Sequence, residues 1–167
     1  ILYLHETSLI AGAENSLLNL ARNIDRQKFE PLFILPSPGP LAEELKKLNV
    51  RCEFIPFPKI RRLAGVRETI RNLVLFIRSN NIALIHSNSI RTHIYGAIVG
   101  KYCGIPCFWH QRNLLQKEFI DPDRVLGFLA NRIICNSAAV AERFKRFGRL
   151  LGKVRVVFNG VDTEEFS

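Results

Sequence analysis

The chain has 167 residues, and its 24 Lys and Arg against 15 Asp and Glu give a formal net charge of +9. With 47% hydrophobic and 23% charged residues, the composition is that of a folded globular protein. A chain of this length buries about 70% of its unfolded surface without disulfide or metal support. No uncharged run exceeds 12 residues. A transmembrane helix needs about 20 apolar residues in succession and is therefore excluded.

The four cysteines form no C-x-x-C pair and have no histidine at a zinc-finger spacing. Cys52, Cys107 and Cys135 lie in or beside apolar segments, where a free thiol packs as a small hydrophobe. Together with Cys103, they favour reduced core cysteines in a cytosolic protein. Disulfide bonds and zinc binding are the alternatives.

The two ends of the sequence suggest a piece of a longer protein. The chain contains no Met and begins directly in an apolar, strand-like segment at Ile1. It ends at Ser167, shortly after residues that resemble a helix start. We therefore expect residues 1–167 to form one domain of a longer chain.

Short apolar segments alternate with helical patterns along the whole sequence. Several of the apolar segments are nearly continuous, which is typical of parallel strands that are covered on both faces. The predicted strands cover residues 1–5, 31–36, 51–56, 83–86, 106–110, 132–136 and 154–158.

Between the strands, apolar residues at helical spacing predict four amphipathic helices. Residues 41–48 predict a further short helix, and residues 113–130 predict a loop followed by a helix. The pattern indicates an α/β fold with a doubly wound, mostly parallel Rossmann-like sheet, helices on both faces and right-handed crossovers. The apolar stripes are Leu17, Leu20, Ala21 and Ile24; Ile70, Leu73, Val74 and Ile77; Ile94, Ala97 and Ile98; and Val140, Phe144 and Phe147.

In such a sheet, ligands bind in the crevice beyond the carboxyl ends of the strands. The residues at these positions are polar and include three of the four histidines. They are His5-Glu6-Thr7-Ser8, Ser37, His86-Ser87-Asn88-Ser89, His110-Gln111-Arg112, Asn136-Ser137 and Asn159-Gly160.

Two of these strand ends are candidate binding sites. Gly12 lies at a turn before a predicted helix, where backbone N–H groups can bind an anion, although it could also be a simple turn glycine. His110, with Gln111 and Arg112 behind it, suits an anionic or sugar ligand. His86 ends another strand and is a weaker candidate, whereas His93 lies inside a helix and is interpreted as structural.

Several familiar sites are missing from the sequence. It contains no G-x-G-x-x-G dinucleotide motif and no phosphate-binding loop with Gly-Lys-Ser/Thr. It also has no G-x-S-x-G nucleophile motif and no His-Glu-x-x-His metal motif. No metal site is predicted.

The positive charge is concentrated in the middle of the chain, where residues 58–120 hold 10 basic and 2 acidic groups. Arg67, Arg71 and Arg78 fall within about 40° on one face of their predicted helix, and Arg61 and Arg62 precede it. This surface could be an ordinary solvated helix face, or it could attract anionic lipid or nucleic acid. Aromatic residues do not interleave with these charges, which disfavours a nucleic-acid platform.

Taken in order, the strand ends resemble the N-terminal domain of family-four (group one) glycosyltransferases with the GT-B fold. The closing segment is the most specific, because the family ends this domain with a Pro-Asn-Gly-Val-Asp…Phe pattern. The matching residues are Ala11-Gly12-Ala13-Glu14 with Ser16-Leu17-Leu18-Asn19-Leu20; Ala83-Leu84-Ile85-His86-Ser87; Gly104-Ile105-Pro106 with His110; Ile133-Ile134-Cys135-Asn136-Ser137; and Val157-Phe158-Asn159-Gly160-Val161-Asp162 with Phe166.

The resemblance implies a retaining transferase that moves a sugar from a nucleotide-sugar donor, a UDP- or GDP-sugar, to an acceptor. It implies that His110 is the catalytic cleft histidine, that Gly12 lies near the donor diphosphate or the acceptor, and that Ser137 lines the cleft. We add Glu6, His86, Ser87 and Arg112 as predicted substrate-binding residues. The sequence departs from the family where Ala11 replaces the first glycine of a pair and Phe158 replaces a proline.

The resemblance also sets expectations for the whole protein. The donor-binding C-terminal domain is absent from this chain, so we expect no cofactor in it and no transfer by residues 1–167 alone. We expect a lipid-linked or cell-envelope acceptor and a cytoplasmic protein that is peripheral on the inner membrane face. Arg61, Arg62, Arg67, Arg71 and Arg78 would then face anionic lipid. The alternatives are a GT-B nucleotide-sugar epimerase and a non-enzymatic module that binds nucleic acid.

Overall fold

Seven parallel strands form one sheet in the computed structural model, which describes residues 1–114, 121–145 and 148–160, with Lys145 by its backbone only. The strand order is β3-β2-β1-β4-β5-β6-β7. Strands β1 to β3 therefore extend the sheet toward one edge, and β4 to β7 extend it from β1 toward the other edge. All seven predicted strands and the α/β fold class are confirmed. The strands are β1 (Leu2–Leu4), β2 (Leu32–Leu35), β3 (Arg51–Phe54), β4 (Ile85–Ser87), β5 (Cys107–Gln111), β6 (Arg132–Cys135) and β7 (Val154–Val156).

Helices cover both faces of this sheet, as right-handed crossovers require. Leu17 and Leu41 pack with Tyr3 on one side, which we call the α1 face. Leu73 and Tyr95 pack with Leu2 on the opposite side, which we call the α3 face. The helices are α1 (Gly12–Asn23), α2 (Pro40–Lys47), α3 (Leu63–Ser79), α4 (Ile90–Cys103), α5 (Pro122–Leu126) with a 3-10 turn (Gly127–Leu129), α6 (Ala138–Lys145) and α7 (Gly148–Leu151).

Two of the predicted apolar stripes are partly wrong. In α4, Ile98 is 39% exposed, and the helix instead buries Tyr95, Gly96 and Val99. In α1, Leu20 is 37% exposed and Leu18 is buried in its place. The short helix α7 was not predicted. The predicted positions 115–120 and 147 lie outside the described residues.

The error in α4 has a steric cause. A Cβ atom at Gly96 would collide with Ser87 Oγ of β4 and would lie 3.0 Å from Cys107 Sγ of β5. One turn later, a Cβ atom at Gly100 would lie 2.9 Å from the carbonyl oxygen of Ile105. The helix thus approaches β4 and β5 through its glycines, which carry no signal in a hydrophobic pattern.

All four cysteines are free thiols. Cys107 and Cys135 are buried on the α3 face, and burial raises the pKa of these thiols to about 12 and about 11. The part of the chain described here holds no group of three or more His, Cys, Asp or Glu that could bind a metal ion. None of its helices is long and apolar enough to cross a bilayer.

The close approach of α4 leads to a prediction for stability. We expect Gly96→Ala to lower the free energy of unfolding by about 2–3 kcal/mol, because the added methyl group has no space between β4 and β5. Chemical denaturation measures this change. Gly148→Ala is the control, because a Cβ atom there meets nothing within 4 Å. Equal stability of the two variants would contradict the close approach.

Candidate functional site

Four aromatic rings form a row across the α1 face of the sheet. Tyr3 of β1 is paired in register with Phe33 of β2 and with His86 of β4. The ring centroids lie 4.7 Å apart for Tyr3 and Phe33 and 5.0 Å apart for Tyr3 and His86. His110 of β5 continues the row, with its ring stacked on His86 at 5.3 Å. The register pairs His86 with Phe108, and His110, two residues further along the same face of β5, still lies within stacking distance of His86.

The hydrogen bonds of His110 define which of its nitrogens carries the proton. Arg112 Nη2 lies 3.1 Å from His110 Nδ1, and an arginine can only donate. His110 Nδ1 is thus an acceptor, which the Nε2 atom of His86 also approaches at 3.2 Å. The proton lies on His110 Nε2, which is buried and has no partner among the described residues.

Both rings are held neutral. Burial, followed by the charge of Arg112, lowers the pKa of His110 to about 2 and that of His86 to about 3. A neutral His110 with its proton on Nε2 can donate a hydrogen bond from that atom but cannot accept a proton there. With this tautomer, the Nε2–H group of His110 is available to donate a hydrogen bond, and that atom cannot act as a general base.

Arg112 is largely buried yet lacks an acidic partner. Its Nε and Nη1 atoms have no hydrogen-bond partner, and no carboxylate of the described residues forms an ion pair with it. Burial lowers its pKa to about 10, opposed by the nearby charge of Glu14, so the guanidinium remains charged at neutral pH. A buried cation with unpaired donors is suited to an anionic ligand.

A buried hydrogen bond between His5 and Glu14 shapes the turn before α1. Glu14 Oε1 lies 2.5 Å from His5 Nε2, and Glu14 Oε2 accepts a hydrogen bond from the backbone N–H of Ala11 at 2.9 Å. Glu14 thereby fixes the turn to the end of β1. Burial lowers the pKa of His5 against the opposing effect of Glu14, and His5 Nδ1 is buried without a partner.

The turn presents an open helix N-terminus beside these groups. A Cβ atom at Gly12, the first residue of α1, would meet nothing within 4 Å, so a ligand can approach the backbone. Free N–H groups and the helix dipole make this end of α1 favourable for negative charge. The helix terminus, Arg112 and the Nε2–H group of His110 together can hold a phosphate or another oxyanion.

The other predicted site residues lie in different surroundings. Glu6 is at the rim of the crevice, with its Oε2 atom 3.5 Å from Arg91 Nε. Ser87 is fully buried on the α3 face beside Cys107, so the structure does not bring its side chain to the histidines. Ser137 Oγ accepts a hydrogen bond from the backbone of Val140 at 3.2 Å and so caps α6. The predicted basic surface of Arg61, Arg62, Arg67, Arg71 and Arg78 is exposed throughout.

Two interactions of the site were missed by sequence reasoning. Glu14 was noticed only as part of a motif, although an acidic residue in the first turn of a helix signals a link to the turn before it. Asn159, which follows β7, accepts a hydrogen bond from Ser16 Oγ of α1 at 3.1 Å. The closing segment of the domain thus returns to the helix that carries Gly12.

The low pKa values of His86 and His110 predict the pH dependence of stability. The unfolded chain takes up protons near pH 6.5 and the folded chain does not, so stability falls as the pH drops below 6.5. From pH 7.5 to pH 5, each histidine should lower the free energy of unfolding by about 2 kcal/mol. Denaturation at both pH values tests this, and His86→Gln should show a smaller fall. If NMR showed that the ring of His86 or His110 titrates near pH 6.5 in the folded protein, this result would contradict the prediction.

Comparison with known proteins identifies the family of the chain. Residues 10–165 match Glycosyltransferase Family 4. A curated relative, UDP-Gal:alpha-D-GlcNAc-diphosphoundecaprenol alpha-1,3-galactosyltransferase from Escherichia coli, is 23% identical over 95% of this chain and 44% of its own length.

Solved structures give the same result for the fold. Anabaena HepE in complex with UDP and glucose is 23% identical with a TM-score of 0.79, over 98% of this chain and 45% of that one. A glycosyltransferase from Rickettsia africae is 15% identical with a TM-score of 0.80, over 99% and 44%. The chain spans less than half the length of these relatives. Since the family match covers nearly all of its residues, the chain belongs to Glycosyltransferase Family 4.

Proposed function

We propose that this chain forms one side of the active site of a glycosyltransferase that moves a sugar from a nucleotide-sugar donor to an acceptor. The observation that carries the proposal is the set of unpaired donors at the end of β5. Arg112 Nε and Nη1 and His110 Nε2 are buried without partners among the described residues, on the side of the sheet that carries the open N-terminus of α1. Family membership supports sugar transfer as the reaction that uses them.

In this proposal the donor diphosphate lies between Gly12 and Arg112. Cleavage of the bond between sugar and diphosphate leaves additional negative charge on the leaving phosphate oxygens. A fixed guanidinium and the backbone N–H groups of a helix terminus stabilise that charge as it develops. His110 Nε2–H donates to an oxygen of the transferred sugar and fixes its orientation. The remaining donor contacts, and a reaction that retains the anomeric configuration, would depend on residues outside this chain.

HepE, whose structure contains UDP and glucose, supports a UDP-sugar as the donor to test first. No dinucleotide or phosphate-loop motif competes for this position in the sequence. The nucleotide base and ribose are assigned to the part of the protein beyond these residues, because the hydrogen-bond donors of His110, Arg112 and the α1 terminus suffice only for the phosphates and the sugar.

The acceptor is proposed to bind in a cleft of about 470 Å³ beyond the ends of β2 and β3. Such a volume is within the usual range for small-molecule sites. The strand order places β3 four strand spacings from β5, or about 19 Å from His110. An acceptor that occupies both places must be elongated. The cleft has an apolar side of Pro36, Pro56, Phe57 and Pro58 and polar groups from Arg62, Glu68 and Asn72.

An acceptor with a lipid-linked sugar has the required shape. The acceptor named for the Escherichia coli relative is a GlcNAc unit joined through a diphosphate to undecaprenol. In this chain the sugar hydroxyl would face His110, and the opposite end of the acceptor would reach Arg62 and the proline side of the cleft. This arrangement would suit the assembly of a cell-envelope polysaccharide.

The outer surface of α3 is proposed to lie on an anionic membrane on the cytoplasmic side. Exposed apolar residues accompany its arginines, since Leu75 is 54% exposed and Tyr102 is 67% exposed. The Arg78 guanidinium lies 5.6 Å from the centre of the Tyr102 ring. A surface with basic, aliphatic and aromatic groups suits the membrane interface. A nucleic-acid partner is not favoured, because base stacking would need several exposed aromatic rings.

The anion site predicts the effect of two substitutions on transfer. In the protein expressed from its complete reading frame, Arg112→Gln should weaken donor use and lower kcat/KM by about 100-fold, because a charge-assisted contact to phosphate is lost. His110→Ala should lower kcat by a similar factor of about 100 if its Nε2–H group orients the sugar. Steady-state kinetics with UDP-sugars measure both changes.

Arg22→Gln is the matched control for this experiment, because Arg22 is exposed near the end of α1 and should leave transfer unchanged. Far-ultraviolet circular dichroism checks that each variant is folded. Unchanged turnover of both Arg112→Gln and His110→Ala would remove the proposed site. Residues 1–167 alone should show no transfer.

Membrane binding gives a separate prediction. Replacing Arg67, Arg71 and Arg78 together by Gln should weaken binding to vesicles of anionic lipid by about 100-fold, at about 1 kcal/mol per arginine. Vesicle sedimentation at low and high salt measures this change. The control replaces Arg22, Lys46 and Arg132 by Gln, which removes the same charge from other exposed positions. Equal losses in the two variants, or binding that ignores lipid charge, would contradict the proposed surface.

A further inference from the structure

A second buried polar network lies on the α3 face, behind the proposed anion site. Its centre is Arg143 of α6, whose guanidinium is 9% exposed and bonds to Asp121, which is 3% exposed. Arg143 Nε and Nη2 donate to Asp121 Oδ2 at 3.1 and 2.7 Å. Arg143 Nη1 donates to the carbonyl oxygen of Asn113 at 2.8 Å and lies 3.4 Å from Gln111 Oε1.

These contacts hold the chain on both sides of Arg112. Gln111 and Asn113 are its two neighbours, and both are bonded to the same guanidinium. Successive side chains of an extended segment point to opposite faces, so Gln111 reaches Arg143 on the α3 face while Arg112 reaches His110 on the α1 face. Arg143 therefore holds the chain at Gln111 and Asn113 from the face opposite to the Arg112 side chain, which is proposed to bind phosphate.

The network is anchored in α4, α5 and β5. Asp121 Oδ1 accepts hydrogen bonds from the backbone of Asp123 and Arg124 and so caps α5. Asp123 Oδ1 lies 2.9 Å from Nδ1 of His93 in α4, and the pKa of Asp123 is lowered by hydrogen bonds from His93 and Gln111 against the opposing effect of burial. His93 stacks on Trp109 of β5 at 4.8 Å. The position of Arg143 is thus fixed by buried groups of α4, α5 and β5.

We propose that Arg143 is a positioning residue that orients Arg112 for the anionic part of the substrate. Arg112 needs such help because, among the described residues, no carboxylate forms an ion pair with its guanidinium, whose hydrogen bond there runs from Nη2 to His110. Arginine suits this task, because its planar group bonds to Asp121, Gln111 and Asn113 at the same time, and a lysine cannot. The proposal rests on the anion site described above and adds the residue that sets its geometry.

The test is a double-mutant cycle in the protein expressed from its complete reading frame. Inorganic pyrophosphate is the probe, and calorimetry measures its Kd. Arg143→Lys should keep a charge near Asp121 but weaken pyrophosphate binding by about tenfold, the effect of one misplaced charge-assisted hydrogen bond. In an Arg112→Gln background the same change should have an effect of less than about twofold, because Arg143 acts through Arg112.

A second variant tests whether a general loss of structure explains the weaker binding of pyrophosphate. Asp121→Asn keeps an oxygen that can cap α5 but places an amide where a carboxylate now binds Arg143, and it should weaken pyrophosphate in the same way. Arg132→Lys is the control, because Arg132 is exposed and its Nη1 bonds only to the neighbouring carbonyl of Asn131. Equal effects of Arg143→Lys with and without Arg112 would overturn the proposal.

A spectroscopic measurement separates this proposal from the proposed function. In 15N-histidine NMR spectra, His110 Nδ1 should show the shift of a hydrogen-bonded acceptor in the wild type. That shift should change in Arg143→Lys and persist in Arg132→Lys. This result stands even if no sugar is transferred, so the loss of transfer alone would remove the function and leave the positioning role. An unchanged His110 signal in Arg143→Lys would overturn the positioning role of Arg143.

Discussion

The alternation of side chains along β5 is the constraint on which the site depends. Trp109 and Gln111 face α4 and α6, where they join the core and the Arg143 network. His110 and Arg112 face the crevice beside α1, where they form the unpaired donors. One strand thus connects the packing of one face to the proposed ligand site on the other. A shift of register by one residue would place His110 and Arg112 in the apolar core.

The crevice side of β5 holds buried polar groups whose hydrogen-bonding capacity is not used by the described residues. Burial opposes protonation of His110 and weakens proton binding by Arg112, and neither group forms an ion pair within the described part of the chain. Unpaired buried donors of this kind cost free energy in the folded state. An oxyanion bound between Arg112 and Gly12 would satisfy them. The fold is therefore stabilised elsewhere, chiefly by the apolar packing of the sheet against helices on both faces.

The sequence predicts the strands well because a buried parallel strand is a short apolar run. It proposes His110 and Arg112 as candidate site residues because they lie at the end of such a run. The glycine-lined contact of α4 could not be predicted, since Gly96 carries no hydrophobic signal and its role appears only against Ser87 of another strand. The pairing of Arg143 with Asp121 spans 22 residues, and no local pattern links residues so far apart. The residue types at the end of a strand can be identified from the sequence, whereas pairs of residues that are distant in sequence can be identified only in the folded structure.

The two buried arginines next to β5, Arg143 and Arg112, differ in how many of their hydrogen-bond donors have partners. Arg143 uses all three of its nitrogens on Asp121, Asn113 and Gln111, so its positive charge is already balanced within the chain. Arg112 leaves two nitrogens without a hydrogen-bond partner and forms no ion pair with a carboxylate among the described residues. Both side chains are largely buried, so exposure does not distinguish them. The difference lies in hydrogen-bond satisfaction, because the donors of Arg143 are used by buried groups of the domain, whereas two donors of Arg112 are left for the proposed anionic ligand.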